Sequence, residues 1–217
     1  MSTRLAGISA GNFGEWLEVM RAVLRGERDA DVPCGDCVGC CVSSYPIPLR
    51  PTDHVALQQV PARHLRLPAD STAGLARMGY REDGSCPLLC AGACSIYNDR
   101  PQTCRDYDCR IYAAAELMPD GERPVIHQRV SAWRFEFISP EEHDAAEAVR
   151  QAAAFIRSHS ALFPVAMRAD SATATAVLAL KTWSLFRNSA RPPGTGESPE
   201  QAVQRVIDAA RQFDQKA

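Results

Sequence analysis

The sequence predicts a mainly α-helical fold with few short strands and a small, irregular, cysteine-rich core. Three observations carry this. Apolar residues recur at three- and four-residue spacing near both ends of the chain. All nine cysteines fall between Cys34 and Cys109. The stretch around them is broken by prolines and glycines at intervals too short for long regular elements. The chain of 217 residues is 46% hydrophobic and 23% charged, ordinary for a globular protein and enough to bury a core. Its net charge of −2 supplies no global basic field for nucleic acid or an anionic membrane.

The elements follow in order. Phe13, Trp16, Leu17, Met20 and Leu24 make one amphipathic helix of the first 30 residues, with Gly26 as its stop. Tyr45 to Leu49, with prolines at alternate positions, reads as extended. Thr52 or Asp53 can cap a short helix to about Val60. Residues 61–85 are loop-like or hold one short helix. Asp99 before Arg-Pro offers a helix start, and the apolar pattern carries that helix to Met118-Pro119. Asp120-Gly121 is a turn, and Val125 to Ile138 is compatible with strand. Pro140 opens an Ala-rich helix, a second runs from Ser171 to about Phe186, residues 191–200 form a linker, and Pro199 to Gln212 is a last helix. Two parts result: residues 1–139, with the N-terminal helix and the thiols, and a helical segment 140–217 packed on them.

The N-terminus lacks the apolar run of a signal peptide, and the run Ala176 to Leu180 is far too short to span a bilayer. A cytoplasmic protein is expected, whose thiols stay reduced. Nine cysteines there point to metal or redox chemistry, and their odd number argues against simple pairing. Cys34-x2-Cys37 is the spacing of a metal knuckle, where a tight turn aims two thiolates at one ion. Gly35 and Gly39 ease such turns. Cys40 extends the run to the opening of a ferredoxin-type motif, but Cys41 follows at once. Neighbouring side chains of extended backbone point to opposite faces, so this pair suits two metals or one larger cluster. Cys104 and Cys109 are five apart, roughly 140° around a helix. Either the helix is distorted between them or they face different metal centres. The core is thus expected to be metal-bound.

Cys-x2-Cys-x2-Cys-Cys, an extended Ile-Pro-Leu with Asp53 behind it, then Cys-Pro-Leu-Leu, Cys-Ser-Ile-Tyr, Arg-Pro and Cys-Arg occur here in that order. Over about residues 30–112 this resembles the CxxCxxCC (YkgJ-like) cysteine-cluster family of zinc- or iron-chelating proteins. The resemblance implies metal ligation by Cys34, Cys37, Cys40, Cys41, Cys86, Cys94, Cys104 and Cys109. Cys90 falls outside the pattern. The flagellin lysine N-methylase group carries a similar cluster and uses S-adenosylmethionine, but its chains are longer and no methyl-donor site is matched here. Residues 140–217 gain nothing from the resemblance.

Each reading has a plainer rival. Scattered thiols can pack as small hydrophobes, but the spacing favours metal for the set, whereas Cys90 alone is read as a buried, inert thiol. His54, His64, His127, His143 and His159 form no ligand pair. Asp106 and Asp108 read as solvated helix charges, and Tyr97 and Tyr107 as packing beside the metal core. Arg100 and Arg105 are candidates to compensate thiolate charge. No phosphate-binding or hydrolase motif is present. All-sulfur ligands suit zinc and iron alike, and the ferredoxin-like opening leans the choice toward an iron–sulfur cluster. The leading function is therefore metal binding with a structural or redox role. The alternatives are a metal-dependent modifying enzyme of the protein-methylase kind, or a zinc-stabilised interaction module. The partner is a metal ion or cluster, with neither nucleic acid nor membrane indicated.

Overall fold

A computed structural model describes residues 7–66, 76–187 and 192–215. In chain order the elements are β1 (Ile8–Asn12), α1 (Phe13–Leu24), β2 (Ile47–Leu49), α2 (His54–Gln59), β3 (Leu65–Arg66), β4 (Ala76–Met78), β5 (Leu89–Cys90), β6 (Ala93–Cys94), α3 (Gln102–Asp106), α4 (Arg110–Ala114), α5 (Pro124–Ala132), β7 (Trp133–Glu136), α6 (Pro140–Ser158), α7 (Ala172–Thr182) and α8 (Pro199–Asp214). The fold is mainly α, and its strands are two to five residues long. Among the described residues no helix is long and apolar enough to cross a membrane.

The chain forms two compact units, each discontinuous in sequence. Unit 1 comprises residues 1–28, 109–122 and 130–217; unit 2 comprises 29–108 and 123–129. In unit 1 the parallel pair β1–β7 joins residues near the N-terminus to a segment more than a hundred residues later, with Ile8 opposite Trp133 and Asn12 opposite Glu136. Helix α1 buries Phe13, Trp16, Leu17, Met20 and Val23, the stripe its periodicity demands. Alanines 145, 146, 148, 152 and 153 are buried on α6; residues this small let a neighbouring helix approach closely. Helix α8 carries a full capping box, with Ser198 and Gln201 each bonding the other's backbone N–H.

Unit 2 holds a three-stranded antiparallel sheet in the order β2–β4–β3 and the hairpin β5–β6. Its apolar cluster consists of Leu49, Ala56, Val60, Ala76, Met78 and Leu88, with Cys86 and Cys94 packed against it.

Several expectations need correction. Residues 8–12 are strand, so the first helix begins only at Phe13; Gly11 turns the chain at φ +83° and Asn12 caps the helix. The start of that predicted helix, residues 1–6, lies outside the described residues. The helix expected from Asp99 to Met118 is interrupted at Tyr107-Asp108 and yields α3 and α4. Most of the expected strand 125–138 is helix α5, with only Trp133–Glu136 extended. Pro124 presets the helical φ at its first position, and Ile126 and Val130, four apart, are both buried. Residues 61–85 hold a short 3-10 helix at Ala62–His64, as expected, but also contribute β3 and β4, except for 67–75, which lie outside the described residues. The remaining helices stand as the periodicity predicts. The linker is described from residue 192 onward.

Candidate metal centre

The first thiol run is shaped by its own backbone. Gly35 takes φ +55°, which brings the Cys37 N–H to the Cys34 carbonyl at 3.1 Å. The Gly39 N–H then points at the Cys37 sulfur at 3.4 Å, the amide-to-sulfur contact a knuckle thiolate uses. Residues 39–42 close a 3-10 turn that carries Cys40 and Cys41 side by side.

Two more segments bring the other thiols. The Cys86 N–H donates to the Cys41 carbonyl at 2.6 Å, tying the second thiol region directly to the end of the first run. The guanidinium of Arg81 bonds the carbonyls of Pro87 and Leu89, at 2.8 and 3.0 Å, and so holds the loop behind Cys86. Ala91 and Gly92, at φ +48° and +79°, make the tight turn of β5–β6 that returns the chain at Cys94. Cys104 rides on α3, and Asp53 anchors the start of that helix. One carboxylate oxygen accepts the Gln102 N–H at 2.9 Å and the other the Arg50 N–H at 2.7 Å. Thr103 adds a bond to the Pro48 carbonyl at 2.8 Å. Asp53 sits at the head of α2, as its sequence position suggests, but its carboxylate serves α3 instead.

The thiols of these segments affect one another. Burial pushes the Cys104 thiol up to about 12, and Cys40, Cys86 and Cys94 add to it against the opposing charge of Arg100. Burial likewise lifts Cys34 to about 11, reinforced by Cys40 and Cys37 and by Asp108, and opposed by Arg129. Cys40, an exposed residue, is raised chiefly by its contact with the Cys41 thiol. Burial raises Cys86, with a contribution from Cys94. Cys40 is thus an electrostatic neighbour both of the knuckle and of the Cys86, Cys94 and Cys104 group. Among the described residues, no three cysteine, histidine, aspartate or glutamate side chains converge closely enough, as placed, to ligate one ion. The donor chemistry nevertheless fits a soft metal. Buried thiols held protonated are the state a bound cation would reverse, releasing the protons.

Cys109 lies in unit 1, at the head of α4. It is 8% exposed, and its sulfur accepts the Trp133 indole N–H at 3.2 Å. The helix is broken at Tyr107-Asp108, between Cys104 and Cys109. Cys90, expected to be buried, is exposed on the hairpin. Asp108, expected to be solvated, is 2% exposed, because it falls in the break and not on a helix face. Asp106 bonds Gln102 and Arg50. Tyr97 is 57% exposed and lies under the Arg100 guanidinium, while Tyr107 packs near Tyr45. His143 and His159 stack on phenylalanine rings. Sequence reasoning missed Arg81 and Arg129, whose partners are backbone carbonyls that no spacing pattern reveals.

Residues 33–125 match the model of the CxxCxxCC family, described as "Putative zinc- or iron-chelating domain". The matched stretch contains every cysteine of the chain, and it supports metal binding by this part of the protein. No curated protein and no solved structure matches the chain significantly.

Proposed function

We propose that unit 2 binds zinc or iron through Cys34, Cys37, Cys40, Cys41, Cys86, Cys94 and Cys104, preferentially as an iron–sulfur cluster, in a cytoplasmic protein where the metal is structural or redox-active. The observation that carries this is the gathering of seven thiols from three chain segments into one unit, with the Cys86 N–H bonded to the Cys41 carbonyl. Sulfur-only donors suit tetrahedral zinc and iron–sulfur clusters, and the Cys34-x2-Cys37-x2-Cys40 opening favours the latter. The family pattern also supplies Cys109, which is tested beside the others.

Metal analysis and visible absorption of anaerobically purified protein test the proposal. More than one equivalent of metal per chain is expected, with the broad visible absorption of thiolate-ligated iron. Colourless protein loaded with zinc would remove the iron–sulfur reading and keep the metal site. Folded, metal-free protein whose nine thiols all titrate freely would remove both. Replacement by serine at Cys37 or Cys104 should lower metal content sharply, whereas Cys90→Ser should leave it intact. The Cys109→Ser protein shows whether the eighth thiol belongs to the set.

A further inference from the structure

Helix α5 begins after the last cysteine, and its first turns lie in unit 2 with the thiols. Ile126 and Arg129, three apart, share one face of α5, and Arg123 stands immediately before the helix. Each meets the first thiol run at a different point. Arg129 donates from one guanidinium nitrogen to the carbonyls of Cys34 and of Pro33, the latter at 3.2 Å. Ile126, 1% exposed, lies against Gly39 so closely that a Cβ built there would sit 3.4 Å from the Ile126 Cα and 3.4 Å from the Cys37 sulfur. Arg123 donates from Nε to the Ser43 carbonyl at 2.8 Å, and its guanidinium covers the Tyr45 ring at 4.2 Å. The Ser43 hydroxyl in turn bonds the Gly39 carbonyl within the same loop. One face of α5 and the residue just before it thus touch the start, middle and end of the run that carries Cys34, Cys37, Cys40 and Cys41.

We infer that this face of α5, together with Arg123 just before it, is a splint for the metal-binding loop, with Arg129 as a positioning residue for Cys34, Arg123 as one for the Cys40–Cys41 end, and Ile126 packing on Gly39 between them. The inference rests on the proposed metal site and adds residues that lie beyond every cysteine. Its physical basis is preorganisation. A glycine-containing loop loses much backbone freedom when it is fixed around a metal, and a helix that already holds its carbonyls reduces that loss. Arginine suits the task because its planar fork keeps a fixed direction toward neighbouring acceptors and its charge opposes that of the thiolates. At Gly39 a Cβ would already be in van der Waals contact with the Ile126 backbone and the Cys37 sulfur, so the loop packs directly on the helix there.

The test loads full-length wild-type, Arg129→Gln, Arg129→Lys, Arg123→Gln and Gln128→Ala proteins with cobalt(II), anaerobically. It records the sulfur-to-cobalt charge-transfer band and the retention of metal against a competing chelator. Gln128 is exposed on the same helix and serves as the control. Arg129→Gln should retain metal about tenfold more weakly, the usual scale for a lost outer-shell partner, with an altered band. Arg129→Lys, which keeps the charge and guards against a folding failure, should fall between that variant and wild type. Arg123→Gln should show a smaller loss, and Gln128→Ala none. Wild-type retention and spectra in both Arg129 variants would overturn the splint while leaving the metal site standing. A wild-type protein without a sulfur-to-cobalt band would instead overturn the metal site, and the splint with it.

Discussion

In unit 1 the large side chains sealed from solvent are Phe13, Tyr112, Val149, Ile156, Leu180, Thr182 and Val206, on α1, α4, α6, α7 and α8. In unit 2 the sealed set is Leu49, Met78 and Ile126, joined by Asp108 and Pro101. The first list is what a helical core needs to stand by burial alone, at about 1.5–3 kcal/mol for each large side chain. The second is a small apolar cluster beside a polar, turn-rich chain that also has a buried carboxylate to satisfy. Eight of the nine cysteines lie in the unit with the smaller apolar cluster. Small domains with too little core commonly rely on a metal to complete their stability. The contrast teaches that one chain can hold its parts by different means, and that the two parts should answer differently to the same perturbation.

The sharpest way to break the contrast is to remove the metal. Structural sites of this kind contribute about 10–16 kcal/mol of folding energy at neutral pH. Chelation should therefore lower hydrogen-exchange protection in residues 29–108 far more than in α6, α7 and α8. Loss of protection in both units together would show one cooperative body. The complementary perturbation is Leu180→Ala, which empties a fully buried site of unit 1. It should cost about 2–5 kcal/mol in denaturant unfolding, with metal content unchanged.

A third effect belongs to the metal-free protein and runs with pH. The thiols of Cys34 and Cys104 are raised from 9.0 to about 11 and about 12, so folding favours their protonated form. Their contribution to stability is fully present below pH 9.0, the unfolded value, and is lost as pH rises through about 11 and 12. Melting curves of chelated protein between neutral and strongly alkaline pH should show unit 2 weakening there. A flat profile would mean that the thiols do not crowd as described. The smallest effect is Ser198→Ala, which removes the capping box of α8 and should cost about 1 kcal/mol, read as a modest fall in melting temperature without change in metal binding.

The sequence by itself determined the helical ends and the candidate ligands. Periodic burial of α1, α6, α7 and α8 is a local property, written in residues three and four apart, and caps such as Ser139, Ser171 and Ser198 mark their starts. The thiol spacing of Cys34 to Cys41 is equally local, because a knuckle is a single turn. Tertiary structure decided what depends on distant partners. Residues 8–12 became strand because β7, more than a hundred residues away, supplies the other half of the ladder. Residues 124–132 became helix although their composition suits a strand, since in that form Ile126 is buried and Arg123 and Arg129 reach the first thiol run. The break at Tyr107-Asp108 placed Cys104 and Cys109 in different units and buried a carboxylate that a continuous helix would have left in water. Side chains that bond backbone carbonyls, as Arg81 and Arg129 do, leave no trace in residue spacing, because every residue offers the same carbonyl and only the fold selects which one is near.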